Sequence, residues 1–211
     1  MALPIVTTAT DIANLALSEL GARQLTDIET DTTEEAKACR QHFTRVRDGL
    51  LREHQWNFAL TRAELSATTD PPTEWGTAWT LPANCVRFIR IVTEDPVNPV
   101  RDFALEGRLL LVNGVDKVTE KINIVYISNA VAISAWDSLF IDAMVFALAA
   151  KIANRVAQNP AMATDMVSKF KSLALPAATN ADAREVASGE NSGVHWLVSQ
   201  SQLVNARRAT R

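Results

Sequence analysis

Between residues 36 and 50 the apolar side chains Ala36, Cys39, Phe43, Val46 and Leu50 recur alternately three and four positions apart, and after His54 that spacing stops. The stripe is one face of an α-helix of about five turns, with Glu34, Lys37, Arg45 and Arg52 on the opposite side. Thr32 and Glu35 stand at capping-box spacing before it. Beyond His54 the pattern shortens to that of strands. Residues 58–65 are extended, Trp75, Thr77, Trp79 and Leu81 alternate, and 86–92 is β-branched and apolar. Residues 103–112 read as a hairpin turning at Glu106-Gly107, Asn113-Gly114 is a second turn, and 122–127 closes the β section.

Helical spacing flanks this stretch on both sides. Near the start, Ile12, Leu15, Ala16 and Leu20 form a stripe, with Thr10 as its expected cap and Gly21 as its stop. A helix over about 136–158 carries Ile141, Val145, Leu148, Ile152 and Val156 on one face, while Phe140, Ala143, Met144 and Ala147 keep much of the remainder apolar. Such a helix must be covered on several sides, by the chain's own core or by a neighbouring subunit. Phe140, Met144, Ala147 and Lys151 are the candidate subunit-interface positions. Asn159-Pro160 starts a fourth helix through Met162, Met166, Phe170 and Leu173, which Pro176 kinks or ends, and the Ala-rich stretch 177–187 can prolong it.

The expected fold is α+β, mainly α. A four-helix body holds an antiparallel β insertion between its second and third helices, followed by an extended C-terminal arm. The corresponding parts are 1–57 and 131–189 for the body, 58–130 for the insertion and 190–211 for the arm. The arm is polar, has no acid after Glu190, and ends in Arg207, Arg208 and Arg211, so it cannot fold alone. Trp196, Leu197 and Val198 are its one apolar cluster and have the character of an anchor for another surface.

Chemistry is sparsely represented. The 211 residues carry a formal charge of −3, which argues against a general nucleic-acid or membrane-surface binder. Cys39 and Cys85 match no metal spacing, and Cys39 falls on an apolar stripe as a buried thiol. His42, His54 and His195 belong to no HExxH motif or facial triad, and the seven glycines form no phosphate loop or nucleophile elbow. The acids Asp27, Glu29, Asp31, Glu34 and Glu35 miss the calcium-loop pattern and suit the N-terminal end of the second helix. Trp56, Trp75 and Trp79 at the helix-to-sheet junction are expected in the core. The expectation is therefore no catalytic set, no metal and no cofactor. The start lacks a basic, apolar leader pattern, and the run 139–152 is too short and too charged to span a bilayer, so a soluble chain made in a cytoplasm is expected.

Five segments, in order, carry a resemblance: Ile12-Ala-Asn-Leu-Ala-Leu-Ser-Glu-Leu-Gly21, Arg47-Asp-Gly-Leu-Leu-Arg52, His54-Gln-Trp-Asn-Phe-Ala59, the helix 141–152, and Trp196-Leu197. Together they resemble the head-to-tail adaptors of short-tailed bacteriophages, the tail tubular protein A-like family, over nearly the whole chain. One departure is His54-Gln55, where relatives often carry a proline before the tryptophan. The resemblance implies a structural, non-enzymatic virion protein of the tail or neck. It would form a dodecameric ring between the portal and a tail tubular protein B-like nozzle, with DNA passing through its lumen without specific binding. It would place the arm (Trp196, Leu197, Val198, Arg207, Arg208, Arg211) against the portal. Acids among Asp27 to Glu35, or in the β-section loops, would face the lumen. The competing readings are a neck connector of a long-tailed phage, a tail-associated peptidoglycan hydrolase using two of the acids, and a monomeric binding module.

Overall fold

The computed structural model describes residues 6–68, 72–92, 102–113 and 121–190. It is an α+β protein with a curled antiparallel sheet. The chain runs α1 (Ala9–Glu19), α2 (Glu34–Glu53), β1 (Leu60–Thr68), β2 (Thr77–Thr80), β3 (Cys85–Val92), β4 (Phe103–Glu106), β5 (Leu109–Val112), β6 (Lys121–Ser128), α3 (Ser138–Val156), α4 (Pro160–Lys169) and α5 (Leu175–Glu190). Among the described residues six strands are present, all between α2 and α3, in the spatial order β3-β6-β1-β2-β5-β4.

The helix starts differ from expectation by one or two residues, and hydrogen bonding explains why. Thr8 caps α1: its hydroxyl accepts the Asp11 N–H, and the Asp11 carboxylate accepts the Thr8 N–H, closing a capping box. Thr10 instead lies inside the helix, where its hydroxyl accepts the Ile28 N–H at 3.1 Å and ties down the following loop. Thr33, not Thr32, caps α2 through the Ala36 N–H. Leu15 is 42% exposed, while Ala13 and Leu17 complete the buried face of α1.

Pro176 does not end the last helix. A π turn over Phe170–Ala174 joins α4 to α5, and the chain stays helical to Glu190. Proline lacks the N–H for an ordinary helical bond, and a wider turn immediately before it absorbs the mismatch. The expected hairpin is present as β4 and β5. Gly107 occupies its turn at φ +58, a backbone region that costs glycine little.

Two apolar cores result. The larger lies among the helices and includes Ile12, Leu17, Cys39, Leu51, Leu148 and Ile152. An aromatic cluster closes it at the α2–β1 junction. The Phe140 ring sits 4.9 Å from Trp56, 4.8 Å from Phe58 and 5.1 Å from Trp136, all edge-on. The Trp56 indole N–H donates to the Leu50 carbonyl at 2.8 Å, which satisfies the one polar atom this wholly buried ring carries. The smaller core lies within the curl of the sheet and includes Trp79, Leu110, Ile124 and Tyr126. Trp56 and Trp79 are thus core residues as expected, and Trp75 is half-buried.

Three of the four candidate subunit-interface positions are corrected here. Phe140 and Met144 have no exposed surface, because the chain's own α1, α2 and aromatic junction cover that side of α3. Ala147 is likewise a buried core residue, lying beneath the second groove, and of the four only Lys151, farther along α3, is exposed. Phe140→Ala is therefore expected to act as a core deletion. It should lower unfolding free energy by about 3–5 kcal/mol in a denaturant titration; a loss below about 1 kcal/mol would place the ring outside the core.

Candidate docking grooves

A pair of consecutive bulges gives the sheet its most distinctive surface. β3 pairs with β6 through Arg87↔Ile127 and Arg90↔Val125, with register shifts between Cys85 and Arg87 and between Phe88 and Arg90. In a regular strand, residues three apart point to opposite faces. The extra residue at Ile89 brings Arg87 and Arg90 to the same face. β1 joins that face in register, since Arg62 also stands opposite Val125. Arg62, Val125 and Arg90 thus form one row across three strands, the two arginines about 10 Å apart from strand spacing.

These side chains wall a groove of about 620 Å³ between the sheet face and the end of α2. Leu60, Ile89 and Val125 supply its apolar floor, and Glu53, His54, Asn57 and Asp182 its far side. Arg87 is positioned by donating to the Arg52 carbonyl at 3.1 Å, while Arg52 donates to the Val86 carbonyl at 2.6 Å. Arg62 and Arg90 are exposed and have no ion-pair partner among the described residues.

Asp182 holds the groove's helical wall. Although only 7% exposed, it binds His54 Nε2 at 3.0 Å through Oδ2 and accepts the Asn57 N–H at 2.9 Å through Oδ1. Its own carbonyl accepts from the Asn57 amide at 3.0 Å. One residue of α5 therefore fixes the α2–β1 junction, 125 positions earlier in the chain.

A second groove of about 550 Å³ runs between α2, α3 and the α4–π segment. Its floor is apolar, with Val46, Leu50, Ala147, Val167 and Phe170, and Gly49 leaves its α2 wall open. Its rim carries His42, Arg45, Lys151 and Lys171. Burial holds the His42 imidazole below its ordinary range, and Arg45, Lys151 and Arg155 push it the same way. Glu53 lines both grooves, so the two form a cationic band in a chain whose net charge is −3.

Two of the five acids at the other end of α2 are committed to the backbone. Asp27 Oδ1 accepts the Glu29 and Thr30 N–H groups, and Asp31 accepts that of Thr33, which holds both carboxyls below their ordinary range. Arg40 donates to the carbonyls of Ile28, Glu29 and Asp31 and locks the loop from inside. Glu34 bridges Lys37 and Arg155. Among the described residues no group of three His, Cys, Asp or Glu side chains could hold a metal ion, and no helix is long and apolar enough to cross a membrane. Both thiols are free; burial pushes Cys39 up to about 11, with Glu35 adding to the effect, and raises Cys85 as well.

Trp196, Leu197, Val198, Arg207, Arg208 and Arg211 lie outside the described residues. Neither Asp182 nor the shared face of Arg62, Arg87 and Arg90 is among the residues the sequence singled out. A signal for the latter existed: arginines three apart in an apolar strand cannot both avoid the core unless a bulge intervenes. No family model and no curated protein matches this chain.

Asp182→Ala should weaken the fold by about 1–3 kcal/mol, because it leaves the Asn57 N–H without its acceptor. Thermal and chemical unfolding would read the loss, and an unchanged midpoint would remove Asp182 from this role. Cys39 should resist thiol reagents in the native state at pH 8, measured in a Cys85→Ser background, and react once denaturant is added. Its folded value lies above the ordinary 9.0, so its contribution to stability is intact below pH 9 and is lost as pH rises toward 11.

Proposed function

We propose that this chain is a structural, non-enzymatic subunit of a phage tail, a ring adaptor seated between the portal and the tail nozzle. Twelve copies would form the ring, and its lumen would let DNA pass without specific binding. One observation carries the reading. The four described segments that bear the resemblance to tail tubular protein A-like adaptors meet in a single packing unit. The 12–21 segment, in and just beyond α1, and the 141–152 helix lie against each other, 47–52 forms the end of α2, and 54–59 inserts Trp56 and Phe58 against Phe140. The likeness is thus concentrated in what builds the scaffold and not in a reactive centre.

On this reading the finer architecture is a four-helix body, a β insertion and a C-terminal arm. The α3 contribution to subunit contact narrows to Lys151 at the rim of the second groove, which combines an apolar floor with cationic rims. Interfaces of this kind favour partner segments that are apolar at the centre and acidic at the edges. The arm would engage the portal through Trp196, Leu197 and Val198, with Arg207, Arg208 and Arg211 beside them.

The deciding experiment is a pull-down on assembled portal rings, followed by low-resolution imaging of the complex. Full-length chain should be retained, and a chain ending at residue 189 should be lost while keeping its circular dichroism. Trp196→Ala should weaken binding by about 2 kcal/mol or more. Equal retention of the truncated chain would remove the arm from portal binding; absence of any ring on the portal would remove the adaptor reading itself.

A further inference from the structure

We infer that the arginine groove of one copy receives the acidic loop before α2 of a second copy, making a head-to-tail contact between protomers. The inference rests on the ring reading above and assigns one of its surfaces. Its physical basis is a separation of unmatched charge. Arg62 and Arg90 stand exposed at the C-terminal end of α2, without ion-pair partners among the described residues. Exposed Glu29 in the loop and half-buried Glu35 in the first turn of α2 stand at its N-terminal end, likewise without one. α2 has 20 residues and spans about 30 Å, so the two ends of one chain cannot neutralise each other. A second copy can bring them together.

The groove favours a protein segment over a nucleic-acid backbone. Leu60, 40% exposed, lies with Ile89 and Val125 beneath the arginines, and a phosphodiester chain would leave that apolar floor wet. The bulged β3 edge also discourages strand addition, leaving the sheet face as the surface on offer. The loop is suited to dock as a preformed unit. Arg40 and the side chains of Asp27 and Asp31 fix its backbone from inside and leave Glu29 projecting, so little ordering entropy opposes binding. Groove and loop are different patches, so a single groove–loop contact leaves a second groove and a second loop open on the pair, and such a heterologous contact closes into a ring when the rotation between copies permits.

Charge exchange tests this pairing on the full-length chain. Sedimentation velocity at low salt would follow self-association of the natural chain, of Arg62→Glu/Arg90→Glu, of Glu29→Lys/Glu35→Lys, and of an equal mixture of the two variants. Each variant alone should associate about tenfold or more weakly, since like charges then face each other, with unchanged circular dichroism. The mixture should recover the natural strength, because every groove–loop pair between the two variants is again of opposite sign. Association should also fall as salt is raised. Unaltered association of either variant, or a mixture that fails to recover, overturns the pairing. So does a natural chain that stays monomeric at millimolar concentration in this assay; ring formation on the portal remains the separate test of the adaptor reading. Retention of a duplex DNA probe that is lost in Arg62→Glu/Arg90→Glu, with self-association unmoved, would assign the groove to nucleic acid instead.

Discussion

The Phe140 ring against Trp56 is the contact on which the rest of the structure depends. Trp56 sits where the chain leaves α2 and turns toward β1, the point at which helical spacing gives way to strand spacing. Without a fixed joint there, the sheet would hang from the helices on a flexible link. The indole is locked by the Leu50 carbonyl and by the rings of Phe140 and Phe58, and Trp136 packs in turn on Phe140. A large apolar area is removed from water at a single place, which stabilises the junction far more than a polar contact of the same size would. His54 extends the cluster, 5.0 Å from Trp56, and carries it through Asp182 to α5. Three distant parts of the chain are thus held by one aromatic knot and one buried carboxylate.

That joint sets the direction in which the sheet leaves the body, and so creates the arginine groove. The outer face of β3-β6-β1 is turned toward the end of α2, and Ile127 on that face already belongs to the helical core. One register step away, Val125 lies outside the helical core and, though still buried, becomes groove floor. A packed interface ends there and an open cleft begins, within two residues of one strand. The bulges in β3 then decide what lines the cleft. Without them Arg87 or Arg90 would point into the apolar curl that holds Trp79 and Ile124, where an unpaired guanidinium could not be tolerated. The irregularity therefore serves the core and the surface together.

Spacing made the larger elements legible from the sequence. The α2 stripe, the Gly107 hairpin and the Asn159-Pro160 start all follow from backbone rules that act within a few residues. The misread details are those in which distant partners decide. Thr10 has the right chemistry for a cap, but Ile28 claims its hydroxyl, and Thr8 caps because Asp11 can answer it. Phe140 and Met144 looked surplus to a one-sided helix, and only the arrival of α1 and the Trp56 junction on a second side accounts for them. Asp182 gives no local sign of its importance, since its partners His54 and Asn57 are more than 120 positions away. Charge separation along α2 was partly visible as an acidic cluster, yet its counterpart depended on a bulge that periodicity does not reveal.

The same logic bears on why the surface charges are arranged in this way. A chain with a net charge of −3 has more than enough acids to neutralise Arg62, Arg87 and Arg90 internally, as Glu64 does for Lys121 and Glu34 for Arg155. Instead the cations are gathered along the two grooves that meet at Glu53, over floors of aliphatic side chains. Grouping like charges costs electrostatic free energy in the isolated chain, moderated by solvent because the groups are exposed. Such an arrangement is relieved when a complementary surface arrives and excludes water, and it then contributes more to the choice and register of partner than to raw affinity. Combined with a stiff acidic loop about 30 Å away along α2, it gives the chain two unlike ends. Unlike ends suit a head-to-tail assembly, whereas a two-fold pairing meets the same charges only if the two copies lie antiparallel, each cationic band on the other's acidic loop.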